Sequence, residues 1–118
     1  MINYHQQLVS ALNTILPTHY ELVLHRGLAI PCISYMELDN SENEVGDTIG
    51  YSSIQYQIKV WGNEIDKIQE YALAIDNVLR PLGFKRISSR ELYDRESTMI
   101  QKVMIFEAKG LEEINNRN

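Results

Sequence analysis

The sequence predicts an α+β two-layer sandwich: a mainly antiparallel sheet of about five strands with two helices on one face, in the order α-β-β-β-α-β-β. Three features carry that expectation. "YSSIQYQIKVWG" (51–62) alternates, so Ile54, Tyr56, Ile58 and Val60 share one side and Ser53, Gln55, Gln57 and Lys59 the other. "GNEIDKIQEYALAIDNVLRPLG" (62–83) carries Ile65, Ile68, Ala72, Ile75, Leu79 and Leu82 at helical spacing, an apolar stripe that must dock on something flat. The remaining β-rich runs follow one another across polar turns, which favours antiparallel pairing.

The first helix is expected over 4–16. Asn3 can cap it and Gln6, three residues on, can return the hydrogen bond. Tyr4, Leu8, Leu12 and Ile15 recur at helical intervals, widened by Val9 and Leu16, and Pro17 stops the run. "HYELVLH" (19–25) reads as a short strand ended by Arg26-Gly27. "AIPCISYMEL" (29–38) is rich in β-formers, and Pro31 near its start indicates an edge position or strand entry. "NSENEVGDTIG" (40–50) reads as a hairpin loop leading into strand 51–62.

In the long helix Asn63 is the expected cap; Glu64 and Asp66 place negative charge where the dipole favours it, and Pro81 and Gly83 end it. "FKRISSREL" (84–92) and "TMIQKVMIFEA" (98–108) are the last strands, joined by "YDRES". In the final strand Val103 and Ile105 are apolar, but so are Met104 and Phe106, so parity leaves its inner face open and allows burial on both sides. Residues 1–110 are expected to form one domain. "LEEINNRN" (111–118) has little to bury and is expected to be a flexible tail.

A length of 118 residues with 44% hydrophobic and 23% charged side chains fits one soluble globular domain. No apolar run approaches the roughly 20 residues of a membrane span, so no membrane partner is expected. The opening "MINYHQQLVSALNTILP" lacks the cationic start and unbroken apolar stretch of a signal peptide. Cys32 is the only cysteine, so an intrachain disulfide is impossible, a Cys-based zinc site is disfavoured and a reducing cytoplasm is the natural compartment. The net charge of −5 speaks against tight binding of nucleic acid, though not against nucleic acid passing close by.

Nothing in the residues argues for catalysis. Cys32 has apolar neighbours and no adjacent base, which reads as a small buried hydrophobe. His5, His19 and His25 show no ligand spacing, Gly46 and Gly50 lack the context of a phosphate loop, and there is no GxSxG elbow. No cofactor or metal set can be named, and the chain is not expected to be an enzyme.

Charge distribution is more informative. Glu37, Asp39, Glu42, Glu44 and Asp47 fall close together with no Lys or Arg between them. They read as a solvated loop, a divalent-cation site or a contact for a basic partner. The stretch from Asp39 misses the EF-hand pattern, having Glu44 where Gly is required and Gly50 where Glu is required. Lys85, Arg86, Arg90 and Arg95 surround the fourth strand, and alternation places Arg86 and Arg90 on one side of it. Acidic and basic patches on one small domain permit head-to-tail contact between copies; scattered solvated charges are the plain alternative. Trp61 falls on the polar side of its strand beside Lys59, either covered by a neighbouring loop or available to an interface.

"IPCISYMELDN", "YSSIQYQIKVWG", "LRPLGFKR" and "YDRESTMIQKVMIFEAKG", with the helix between, resemble the tail terminator (tail completion) proteins of long-tailed bacteriophages and phage-like elements, over about residues 1–110. The resemblance implies a structural role: a ring, commonly of six copies, capping the head-proximal end of the tail tube, stopping its polymerisation and docking the head connector or stopper protein. Packaged DNA would pass through the hole. The expected partners are further copies of the chain, the tail tube protein and the connector; the expected location is the virion tail, or the host cytoplasm during assembly. On this reading Glu37, Asp39, Glu42, Glu44 and Asp47, the polar-face residues Gln55, Gln57, Lys59 and Trp61, and Arg86 and Arg90 are the candidate interface. Neck (head-completion) proteins of such phages are of similar size and are one alternative. A small-molecule-binding regulatory module, with Tyr51, Tyr56 and Tyr93 as polar groups, is another.

Overall fold

The structure, a computed structural model, describes residues 4–21, 29–45 and 49–113. Helix α1 is His5–Asn13, followed by β1 Thr18–Tyr20, β2 Cys32–Val45, β3 Ile49–Gly62, α2 Ile65–Leu79, β4 Lys85–Asp94 and β5 Met99–Glu113. The five strands form one sheet in the order β1-β2-β3-β5-β4, with β1 parallel to β2 and every other pair antiparallel. Both helices lie on one face, and the α+β architecture matches the order expected from the sequence.

Strand β3 is the centre of the core. Ile54, Tyr56, Ile58 and Val60 are all buried, joined by Ile33 and Tyr35 from β2 and Met104, Phe106 and Ala108 from β5. Leu8 and Leu12 of α1 and Ile68, Ala72, Ile75 and Leu79 of α2 close over them. The α2 stripe is buried in its middle, whereas Ile65 at its start is 42% exposed. Burial of Ile68, Ile75 and Leu79 contributes about 5–9 kcal/mol before entropy is subtracted. The inner face of β5 is the Met104–Phe106 side, yet Val103 on the other side is only 4% exposed. The final strand is thus dry on both sides at that point.

Local chemistry sets the ends of α2. The first helical bond runs from Ile68 N to the carbonyl of Glu64, so the N-cap is Glu64, one residue beyond the expected Asn63, with no side-chain cap. Gly62 lies just before it, where a Cβ would come within 3.3 Å of the end of the Ile68 side chain, so a larger residue would oblige that side chain to shift. At the other end Arg80–Leu82 tighten into a 3-10 turn, and Gly83 adopts φ 93°. Gly83 N–H donates to Arg80 O (3.0 Å) and Phe84 N–H to Leu79 O (3.2 Å), the bond pair of a Schellman motif with Phe84 returned to the core.

Several expected boundaries shift. Helix α1 ends at Asn13, and residues 14–16 form a turn in which Ile15 and Leu16 still pack on the core. Its expected cap Asn3 lies outside the described residues, as do His25, Arg26 and Gly27 at the end of the expected first strand. The largest correction concerns 40–50: instead of a long loop, β2 runs to Val45 and β3 starts at Ile49. The polar composition of this stretch reads as turn character, but ladder pairing to β3 overrides it. Strand β5 likewise reaches Glu113, three residues into the expected tail, while 114–118 lie outside the described residues.

These extensions build an arm. Residues 39–45, 49–55 and 107–113 pair as three strands, whereas β4 stops at the row of Lys85 and Glu107. The longest dimension is 55 Å, close to the ~50 Å that 15 extended residues span.

The packing makes a direct prediction. Ile75→Ala should lower the unfolding free energy by about 2–5 kcal/mol, read from the denaturant midpoint. Leu73→Ala on the same helix, at a side chain 62% exposed, should change it by less than about 0.5 kcal/mol.

Candidate interaction surface

The helices cover one face of the sheet, and strand register assigns the residues of the other, called the open face below. Crossing from β2 through β3 to β5, Cys32, Trp61 and Gln101 form one row, and Ser34, Lys59 and Val103 the next. Met36, Gln57 and Ile105 form a third row; Asp39, Gln55 and Glu107 a fourth. His19 of β1 pairs with Ser34 and extends the second row. The polar row expected from alternation is present along β3, flanked on β2 and β5 by a mixture of polar and apolar side chains of which Cys32, Ser34 and Val103 are buried.

Its side chains hold one another in place. Glu21, directly after β1, accepts hydrogen bonds from Lys59 Nζ and from Gln57 Nε2, the latter at 3.1 Å, so β1 is pinned to β3 across β2. Trp61 Nε1 donates to Ser34 Oγ at 2.9 Å, and the Lys59 ammonium lies 5.6 Å from the indole centroid. Gln55 Nε2 donates to Glu107 Oε2 at 2.8 Å, and Lys109 pairs with Glu107 at 3.5 Å. Trp61 is thus half-buried on its own sheet, tied to Ser34. Cys32, opposite Trp61 in the ladder, is 2% exposed, and burial pushes its thiol pKa up, so it is an inert hydrophobe.

Two bulges redirect the charged candidates. The β2–β3 register shifts between Glu37 and Asp39, and the β4–β5 register between Arg86 and Ser88. Each inserts one extra residue, Leu38 or Ile87, and so inverts the parity beyond it. Glu37 therefore pairs with Tyr56 on the helix side, and Asp39 with Gln55 on the open side. Arg86 and Arg90, expected on one side, are on opposite sides: Arg86 pairs with Phe106 and Arg90 with Val103. Arg86 Nη1 lies 3.4 Å from Asp76 of α2, while Arg90 faces the open side. Glu42 and Glu44 are strand residues, paired with Ser52 and Gly50; Asp47 lies outside the described residues.

The bulges share one row, Glu37–Tyr56–Phe106–Arg86, at the root of the arm. Beneath the end of α2 a cleft of about 360 Å³ is lined by Asp76, Arg80, Phe84, Lys85, Arg86 and Phe106. A second, of about 220 Å³, lies at the start of α2 between Pro31, Gly62 and Tyr71. Among the described residues no group of three or more His, Cys, Asp or Glu is placed to hold a metal ion, and no helix is long and apolar enough to cross a membrane. His5 Nε2 bonds the Tyr35 hydroxyl at 2.7 Å. Tyr56 is buried and Tyr93 is 60% exposed on β4, so these two do not converge on a pocket.

Glu21, Ser34 and Glu107 were not singled out from the sequence. Glu107 could have been found by continuing the alternation of β5, whereas Glu21 lies 38 residues from Lys59 and has no local signal.

No protein-family model matches the chain, nor does any curated protein. Among solved structures it is similar to a chain described as "Virion of native gene transfer agent (GTA) particle", with a TM-score of 0.63 and 11% sequence identity. The match covers 86% of this chain and 82% of that one. The two share a fold over nearly their whole lengths.

Two outcomes follow from this geometry. Trp61→Phe strands the hydroxyl of the fully buried Ser34 and should cost about 1–3 kcal/mol, with Ser34→Ala in the same chain recovering part of the loss in a double-mutant cycle. Burial, then the charge of Glu37, pushes the Tyr56 pKa up to about 12, from an ordinary value of about 10. The folded state keeps the proton the unfolded chain loses, so this contribution is complete below pH ~10 and disappears as pH rises toward ~12. Urea midpoints across that window should fall, and Tyr56→Phe should flatten the fall.

Proposed function

We infer that the protein is a structural component of a phage-like particle, and within it a tail terminator: a ring that caps the tail tube, stops its growth and docks to the head connector. The observation that carries this reading is the fold shared with a chain of a gene transfer agent virion, nearly end to end in both chains. The tail-terminator resemblance of the sequence adds the specific role. On this reading the protein acts by assembly and not by catalysis, and its place is the virion tail or the host cytoplasm during assembly.

The geometry supports it in two ways. A sheet covered on one side leaves a pre-ordered polar face for the tube or the connector, and the hydrogen bonds among Glu21, Gln57 and Lys59 limit the side-chain entropy lost on docking. A ring also needs two unlike patches on each copy. Strands β1 and β4 stand at opposite ends of the sheet order, so its two flanks differ. A six-fold ring with a near-neutral or acidic lumen would let packaged DNA slide without gripping its phosphates.

Native mass measured over a range of concentrations should show a closed assembly of about six copies that binds the end of the cognate tail tube. Loss of the gene should give overlong tubes. Tubes of normal length that fail to join heads would move the assignment to a head-completion protein; a strict monomer with no affinity for tubes would overturn it.

A further inference from the structure

We propose that the cleft formed by Arg80, Lys85 and Arg86 is the socket for the acidic edge of a second copy, the β2 segment bearing Glu42 and Glu44. This rests on the ring reading above and names the contact that would build it.

The two halves are complementary in charge. The paired arm strands 39–45, 49–55 and 107–113 carry six carboxylates against one lysine, an excess as large as the net −5 of the whole chain. The rest of the molecule is therefore close to neutral, and the charge is concentrated at one end. In the cleft, three cations face the single carboxylate of Asp76, which is already engaged by Arg86. Arg80 and Lys85 are exposed, and among the described residues neither has a carboxylate partner. The floor is apolar, Phe84 and Phe106 being 4% and 1% exposed, so an incoming carboxylate would meet its partners against a low-dielectric wall.

Placement agrees with charge. In the order β1-β2-β3-β5-β4 the short β1 pairs with β2 only at residues 33–35, so among the described strands the acidic stretch 39–45 and the basic strand β4 lie on opposite edges, about 14 Å apart across three strand spacings. Copies set side by side in one orientation bring the β2 flank of one to the β4 flank of the next. Exposed Ile87 and Leu92 on β4 supply apolar surface beside the cations.

The test is a charge swap on the full chain. The socket variant carries Arg80→Glu and Lys85→Glu; the edge variant carries Glu42→Lys and Glu44→Lys. With unchanged circular dichroism, each alone should need at least tenfold more protein than the wild type to assemble, by sedimentation or native mass. Mixed in equal amounts they should assemble again in alternation, because the intact edge meets the intact socket at one contact and the two reversed halves, again opposite in charge, meet at the next. The four-substitution chain should do the same. Raised salt should weaken wild-type assembly. If both variants assemble as the wild type does, or if neither the mixture nor the combined chain recovers, the socket is wrong while the ring reading stands. A wild type that stays monomeric at every concentration and ignores tubes removes the ring reading and the socket together.

Discussion

Burial of Ile54, Tyr56, Ile58 and Val60 beneath the helices is the constraint on which the rest of the structure depends. A one-residue slip of β3 would turn that whole row to solvent, so the register of β2 and β5 against it is fixed by core burial and not by turn chemistry. Once β3 is set, the opposite parity fixes which side chains meet on the open face. Lys59 is placed between Ser34 and Val103, and Trp61 between Cys32 and Gln101. The polar surface is thus a by-product of the core: every residue that packs inward on β3 commits its neighbour outward.

The strand β4 shows how weakly an edge can be held. All ten of its residues are exposed, so hydrophobic burial contributes little to its attachment. It stays through its ladder to β5, through the Glu91–Lys102 ion pair to that strand at 3.1 Å, and through polar contacts to α2: Arg86 to Asp76 at 3.4 Å and Glu91 to Gln69 at 2.6 Å. Exposed ion pairs of this kind contribute at most about 1 kcal/mol each. The bulge at Ile87 and the cations along the strand are also devices by which edges resist indiscriminate pairing. An edge so protected accepts a partner only where charge and shape agree.

Period-two alternation in 51–62 and three-four spacing in 65–79 are local signals backed by large burial energies, and the fold class, the element order and the open face were legible from them. Three things were not. Bulges leave no mark in a single sequence, because Leu38 and Ile87 look like ordinary strand residues; the parity of Arg86 against Arg90 was consequently misread. Strand pairing in 40–50 is non-local, and a run of Ser, Asn, Glu and Gly carries turn composition whether or not a partner strand lies beside it. The Glu21 clamp joins residues far apart in sequence and depends on the parallel placement of β1 beside β2, which no pattern in the chain announces.

The charge asymmetry has a consequence for the kind of assembly the fold permits. A two-fold dimer built on either flank would set β2 carboxylates against β2 carboxylates, or the cations of β4 against themselves, and like charges in contact are repelled. Pairing of unlike flanks escapes that cost, and by symmetry it propagates: each copy added offers the same unsatisfied flank as the last. Such a chain of copies ends only by closing on itself or by growing as a filament, and the rotation between neighbours decides which. On the proposed contact that rotation is governed next to the Leu38 and Ile87 bulges, which increase the local twist of the sheet. The same row, Glu37–Tyr56–Phe106–Arg86, carries both bulges, so the twist is concentrated at the root of the arm. On that proposed contact, the irregularities that spoil a simple reading of strand parity are the features placed to set the curvature of the assembly.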